Sequence, residues 1–147
     1  LYKEIIKTAL AWGIGVVDEE VIDKINIKQA ARLAMKLAVE DLDINPDYLL
    51  VDAETIPVSL PQTGLIHGDA ISHSISCASI IAKVVRDKMC NTWHDQFPNY
   101  GISKNKGYYT VKHIEALLTY GPSPIHRKSF IRKPLFRHAN PRLDFNL

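Results

Sequence analysis

Cysteine is scarce in this chain of 147 residues: only Cys77 and Cys90 occur, with no Cys-x-x-Cys. Six histidines are present, but no two stand at ligand spacing, so a structural zinc site is excluded. Both cysteines fall in one helical pattern, which points to buried thiols in a reducing compartment rather than a disulfide. No apolar run approaches the roughly 18 residues of a membrane span. No secretory leader pattern is present either, so the chain reads as cytoplasmic, with no membrane partner. Glycine is too sparse for a dinucleotide loop: Gly13-Ile14-Gly15 lacks a third glycine and lies within an apolar run. His113-Ile114-Glu115 matches half of a deaminase signature, but the Pro-Cys-x-x-Cys half is missing, so His113 is expected on a helix surface or behind a site. An initial Met is lacking as well. The opening Leu1-Tyr2-Lys3-Glu4-Ile5-Ile6-Lys7 reads as the middle of a helix and suggests a piece of a longer protein.

What is there suffices for a core, at 46% hydrophobic residues. Net charge is only +2, unevenly spread: residues 121–147 hold six Lys/Arg, including Arg132, Lys133, Arg137 and Arg142, against Asp144 alone. That segment carries +5 and leaves −3 on the remainder. A basic segment on an acidic body suits an anionic partner, and equally a solubilising tail.

Hydrophobic periodicity alternates between strand and helix. Leu10–Val17 is a continuous apolar run of buried-strand type. Ile27–Leu42 carries apolar residues at helical spacing, and Pro46 forbids its continuation. Tyr48–Val51 and Leu65-Ile66 read as strands. A long helix is expected from Ala70 to Cys90, with small residues from Ser76 to Ala82 that would let it lie close to a sheet. Thr110 is placed to cap a helix over Val111–Tyr120, ended by Gly121-Pro122.

Two aspartates stand out because each follows a strand pattern: Asp52 after Leu50-Val51, and Asp69 in His67-Gly68-Asp69-Ala70. In α/β sheets the ends of strands build sites. Hard divalent cations take carboxylate oxygens and substrate phosphates as ligands. A strand-end Asp is more commonly a turn or cap residue, and Asp69 could simply cap the helix that follows. The residues alone therefore support a candidate metal site with too few carboxylates.

Six words in fixed order extend this reading. They are Asn26-Ile27-Lys28-Gln29-Ala30, Leu50-Val51-Asp52, Gly68-Asp69-Ala70, Ala78-Ser79-Ile80-Ile81-Ala82-Lys83-Val84-Val85-Arg86-Asp87, Lys104-Asn105-Lys106-Gly107-Tyr108 and Gly121-Pro122-Ser123-Pro124-Ile125-His126-Arg127-Lys128-Ser129-Phe130. Together they resemble ribonuclease H type 2 (ribonuclease HII). The resemblance implies an α/β, RNase H-like fold: a mixed sheet flanked by helices, with a C-terminal helical extension. It implies an RNase H-like domain over 1–130, lacking its N-terminal strands, and a basic tail over 131–147. It also implies an endonuclease that cuts the RNA strand of RNA/DNA hybrids and cuts at ribonucleotides embedded in duplex DNA.

By the same resemblance, Mg²⁺ or Mn²⁺ is held by four carboxylates, of which Asp52 and Asp69 match two. The other two belong to an Asp-Glu pair before a glycine-arginine-glycine word that this sequence does not contain. Tyr108 would pack against the sugar at the cut, and Lys106 would contact phosphate. Asn26 and Gln29 would face the DNA strand, with Ser72 and Arg127 as further substrate contacts. The intact protein is expected to be a monomer, whereas a sheet without its first strand exposes an edge that can pair with another copy.

Several positions depart from the family pattern. Ile71 and His67 stand where Lys is common, Ala53 where Gly is common, and Asn105 and Tyr109 replace His and Gly. Losing a phosphate-binding cation weakens binding and flattens its salt dependence. An alternative is therefore kept beside the enzyme: a nucleic-acid-binding module or relative that does not cut.

Overall fold

A computed structural model describes residues 1–139 of the protein. The described residues form two compact units, one over Leu1–Val85 and a second from Arg86 onward.

The first unit opens with α1 (Tyr2–Thr8), α2 (Glu19–Ile25) and α3 (Ile27–Glu40). Local capping fixes their starts: Asp18 accepts the Val21 N–H at 2.8 Å, and Asn26 accepts the Gln29 N–H at 3.1 Å. Asn26 also separates α2 from α3 by adopting φ 69° and ψ 163°, outside the left-handed helical well and in a region that is essentially glycine's. Strands β1 (Leu49–Asp52) and β2 (Gln62–Leu65) pair in parallel, with Asp52 opposite Leu65. Leu49, Val51 and Ile56 form the core here, with Met35 and Val39 of α3 packed against them. The nine-residue connection is held by Gln62, whose amide bonds both the Ile56 N–H (2.8 Å) and its carbonyl (2.9 Å).

The mixed α/β character is as expected from the sequence, but two local expectations fail. Leu10–Val17 does not become a strand among the described residues. Its Ile14 N–H goes to the Asp41 carboxylate at 2.8 Å instead of a strand carbonyl. Gly13 and Gly15 press directly onto the backbone of α3, where an added Cβ would overlap the carbonyls of Ala38 and Ala34. The apolar run thus serves close helix contact, and Leu10 stays 93% exposed. The expected single helix from Ala70 is also two: α4 (Gly68–Ile71) and α5 (His73–Gln96). Ser72 breaks them by turning extended, at φ −118° and ψ 119°. Burial on α5 within this unit falls on Ile75 and Ile81. 

The second unit takes up α5 from Arg86 and continues through a 3-10 turn (Pro98–Tyr100), α6 (Ile102–Asn105), α7 (Val111–Tyr120) and α8 (Lys128–Ala139). Cys90, Tyr100, Ile102, Ala116, Leu117 and Ile131 form its core. Thr110 caps α7 through the His113 N–H at 3.2 Å, and Gly121 at φ 73° ends it. Helix α8 carries the first part of the basic segment to Ala139 and buries Ile131; Arg142 lies outside the described residues. Cys77 and Cys90 are free thiols; Cys90 is buried as expected, whereas Cys77 is only half-buried. Among the described residues no helix is long and apolar enough to cross a membrane.

Candidate active site

Strand alternation aims Asp52. Leu49 and Val51 are buried while Leu50 and Asp52 are exposed, the period of two that any strand imposes. The chain then turns back at His67, which adopts φ 54° and ψ 43°, and brings the Gly68 N–H to within 2.8 Å of Asp52 Oδ1. Gly68 is buried in this contact. A Cβ there would stand 2.6 Å from Ile75 Cδ1, 3.1 Å from Asp52 Oδ1 and 3.4 Å from Asp52 Cα. Asp69 is the next residue, so the second candidate carboxylate rides on the turn that holds the first.

Asp69 is not a helix cap. His67 occupies that position of α4 without a side-chain bond, and Ser72 starts α5 by accepting the Ile75 N–H at 3.4 Å. The Asp69 carboxylate is exposed and takes no hydrogen bond or ion pair among the described residues. One oxygen of Asp52 is oriented by a backbone N–H, and the remaining carboxylate oxygens are hard anionic donors. That donor chemistry fits an oxygen-seeking divalent cation. No group of three or more His, Cys, Asp or Glu is gathered among the described residues, so the fit is that of a partial ligand set.

The residue after Asp52 is strained. Ala53 sits at φ 55° while its N–H bonds Leu65 O at 2.8 Å. Left-handed backbone costs a non-glycine residue roughly 1–2 kcal/mol, and glycine loses about 0.5–1 kcal/mol in chain entropy. Relief of strain wins by the smaller margin. Ala53→Gly is expected to raise stability by about 0.5–1 kcal/mol, read as an increased denaturant midpoint at constant slope.

Helix α3 is fastened to the loop that follows. Lys28 Nζ lies 2.9 Å from Glu54 Oε1, and Arg32 Nε donates to Thr55 O at 2.9 Å. The Lys28 hydrogen bond holds the Glu54 carboxyl below its ordinary range, against a smaller opposing effect of desolvation. The segment bearing Asn26 and Gln29 is thereby tied to residues just beyond Asp52. Gln29 is exposed, and Asn26 spends its oxygen on the α3 cap.

Tyr108, Lys106 and Arg127 belong to the second unit. Lys106 and Gly107 have φ 52° and 83°, which makes a tight turn. Asn105 staples it, giving Nδ2–H to Tyr100 O at 2.7 Å and accepting the Gly107 N–H at 2.8 Å. Tyr108 then projects outward at 69% exposure. Arg86 donates to Lys106 O at 2.8 Å and sets its guanidinium 5.8 Å from the Tyr108 ring centroid. Lys106 Nζ reaches Asn91 Oδ1 at 3.4 Å, a long bond that uses one of the three ammonium donors. Arg127 stacks on Phe130 at 4.2 Å. Phe130 in turn stacks on Tyr109, 5.1 Å away, whose hydroxyl pKa is raised by burial.

His113 is not a surface residue. It is 2% exposed, and its Nδ1 lies 3.0 Å from Tyr108 O while Nε2 lies 2.9 Å from His126 Nε2. Sequence reading missed His126, Ser123 and Arg86 as supports of the Tyr108 turn; the only signal was that they fall in the same motif words. Burial, and then repulsion from His113, lowers the His126 pKa below the ordinary 6.5. Folded His126 therefore takes up its proton only at a lower pH than the unfolded chain does. Its contribution to stability is complete above pH 6.5 and is lost as pH falls through the lowered folded value. An NMR titration of the His126 ring is expected to give a midpoint below 6.5, with thermal stability declining over that range.

Comparison with known proteins bears on what this arrangement belongs to. The family model described as Ribonuclease HII matches residues 1–133. A Ribonuclease HII of Alkaliphilus oremlandii is 55% identical over 141 residues, covering 92% of this chain and 70% of that protein. One from Alkaliphilus metalliredigens is 52% identical, with 92% and 69% covered. One from Bacillus subtilis is 51% identical over 136 residues, with 92% of this chain and 53% of the relative covered.

Proposed function

The chain belongs to the ribonuclease HII family, and from that premise we propose that it serves an endonuclease acting on RNA/DNA hybrids and on ribonucleotides embedded in duplex DNA. The observation that carries the proposal is the Gly68 N–H bond to Asp52 Oδ1, which ties together the segments bearing Asp52 and Asp69. These two carboxylates would hold Mg²⁺ or Mn²⁺ together with further acids. A divalent ion so bound supplies a water that ionises near neutral pH and stabilises charge on the departing oxygen.

The chain's own residues do the rest. Gly68 fixes the direction of one Asp52 lone pair, so the carboxylate need not reorganise as charge develops. Tyr108 offers a flat, exposed face to the sugar, where the 2′-OH distinguishes RNA from DNA. Lys106 supplies positive charge for a neighbouring phosphate, which positions the duplex without reading its sequence. Asn26 and Gln29, Ser72 and Arg127 are proposed as further contacts, with the Asn26 and Ser72 oxygens already engaged in helix caps. The reacting bond is the phosphodiester on the 5′ side of a ribonucleotide; water adds to phosphorus and the 3′ oxygen departs.

A second reading has one observation in its favour. The resemblance implies four carboxylates, and no group of three or more His, Cys, Asp or Glu is gathered among the described residues. On that reading these 147 residues bind hybrid duplex without cutting it. A gel assay separates the two, using a DNA duplex carrying one ribonucleotide and a series of Mg²⁺ and Mn²⁺ concentrations. Metal-dependent cleavage beside the ribonucleotide supports the enzyme; binding with an intact substrate supports the module. Neither binding nor cleavage would defeat both.

A further inference from the structure

The two buried imidazoles of the second unit form a chain of hydrogen bonds whose direction can be assigned. Ser123 N–H, which can only donate, points at His126 Nδ1 from 3.1 Å. His126 Nδ1 must therefore be unprotonated, and Ser123 Oγ at 2.7 Å can share the same lone pair. The His126 proton then sits on Nε2, facing His113 Nε2 at 2.9 Å. His113 accepts there and carries its own proton on Nδ1, which it donates to Tyr108 O at 3.0 Å. Every ring nitrogen is used, and the chain runs in one sense from a backbone N–H to a backbone C=O.

Burial makes this arrangement stiff. His113, Ser123 and His126 are 2%, 8% and 9% exposed. The Tyr100 ring packs 4.9 Å from His126 and 6.4 Å from His113, and Tyr109 packs 5.9 Å from His113. Satisfied core histidines are the plain interpretation, but the place where the chain ends argues for more. Tyr108 is 69% exposed and has the Arg86 guanidinium 5.8 Å from its ring centroid, so its aim depends largely on its backbone. That backbone follows the positive-φ pair Lys106 and Gly107, and its carbonyl receives both Thr110 N–H and His113.

We propose that His113 and His126, both neutral and in opposite tautomers, are positioning residues that set the aim of Tyr108 on the sugar of a bound ribonucleotide. This rests on the assignment of Tyr108 above, and it makes recognition of the 2′-OH depend on groups that never touch the substrate. A proton added to His126 Nδ1 would face Ser123 N–H donor to donor, so the couple holds only while neutral. The titratable or charged groups around it are Tyr100 from the 3-10 turn, Tyr109 before α7, and Arg127 beside His126 in the chain. None of these supplies a carboxylate that would stabilise an imidazolium.

The test compares affinity for a DNA duplex carrying one ribonucleotide with affinity for the same all-DNA duplex. Tyr108→Ala is expected to erase the preference. His113→Leu removes one of the two donors to the Tyr108 carbonyl and is expected to cut the preference about tenfold. His113→Asn keeps a donor near the Nδ1 position and is expected to restore most of it. If Tyr108→Ala leaves the preference intact, the Tyr108 assignment fails and the proposal with it. If Tyr108→Ala erases the preference but folded His113→Leu keeps it, only the positioning proposal fails. Should His113→Leu not fold, ¹⁵N NMR of the unsubstituted chain decides. The expected result is Nδ1–H for His113 and Nε2–H for His126, and any other tautomer pair overturns the proposal.

Discussion

Replacing Asp52 or Asp69 with Asn is expected to lower cleavage beside a ribonucleotide by at least about 10²-fold while leaving the protein folded. Loss of an outer partner of a metal ligand already costs roughly 10–100-fold in metal affinity or activity, and these variants change the proposed ligands themselves. Stability separates from activity for a geometric reason. Asp52→Asn keeps a side-chain oxygen able to accept the Gly68 N–H that Asp52 now takes at 2.8 Å, so the turn stays closed. Asp69 is exposed and takes no bond among the described residues, and such surface changes fall within about 0.5 kcal/mol. Asp52→Ala should differ, because it strands the N–H of buried Gly68 at a cost of roughly 1–3 kcal/mol. Single-turnover cleavage, measured in a form of the protein that supplies every carboxylate the site needs, checks the first claim; thermal melts check the second. Near-normal turnover in both Asn variants would sink the metal-site assignment.

The parts of this protein legible in its sequence are those written in local chemistry. Thr110 announces the start of α7 because a short oxygen side chain reaches an N–H three residues on, and Asp18 and Asn26 cap α2 and α3 in the same way. Asp52 and Asp69 could be singled out because they end strand patterns within motif words. What could not be read depends on a distant partner. Leu10–Val17 has the composition of a buried strand, but a strand needs a ladder, and Gly13 and Gly15 instead commit the segment to the backbone of α3. His113 lies on a helix whose polar residues otherwise face water, and its burial is made tolerable by the Tyr108 carbonyl and by His126, thirteen residues later. The break at Ser72 is one residue of extended backbone inside a helix-forming run, too short to disturb the periodicity.

Gly68→Ala sets two effects of opposite sign against each other. Alanine is the better helix former by about 1 kcal/mol, and Gly68 is not among the residues at positive φ, so backbone preference alone favours the substitution. Contact decides otherwise. The new methyl would stand 2.6 Å from Ile75 Cδ1, the end of a buried side chain, and 3.1 Å from Asp52 Oδ1, which the Gly68 N–H holds. Overpacking of this kind costs roughly 1–3 kcal/mol, so the net expectation is a loss of about 1 kcal/mol. Turnover should fall as well, by less than the roughly 10²-fold that a 1 Å misplacement costs, because Asp52 has to give by a few tenths of an ångström on the turn that carries Asp69. Adding Ile75→Val removes Cδ1, the nearer of the two obstacles, but leaves the methyl against Asp52. The double variant should therefore recover stability relative to Gly68→Ala without recovering turnover, a non-additivity that a double-mutant cycle isolates. Wild-type melting and turnover in Gly68→Ala would mean that the site is not built on this contact. Joint recovery of stability and activity in the double variant would place the strain on Ile75 and not on the carboxylate.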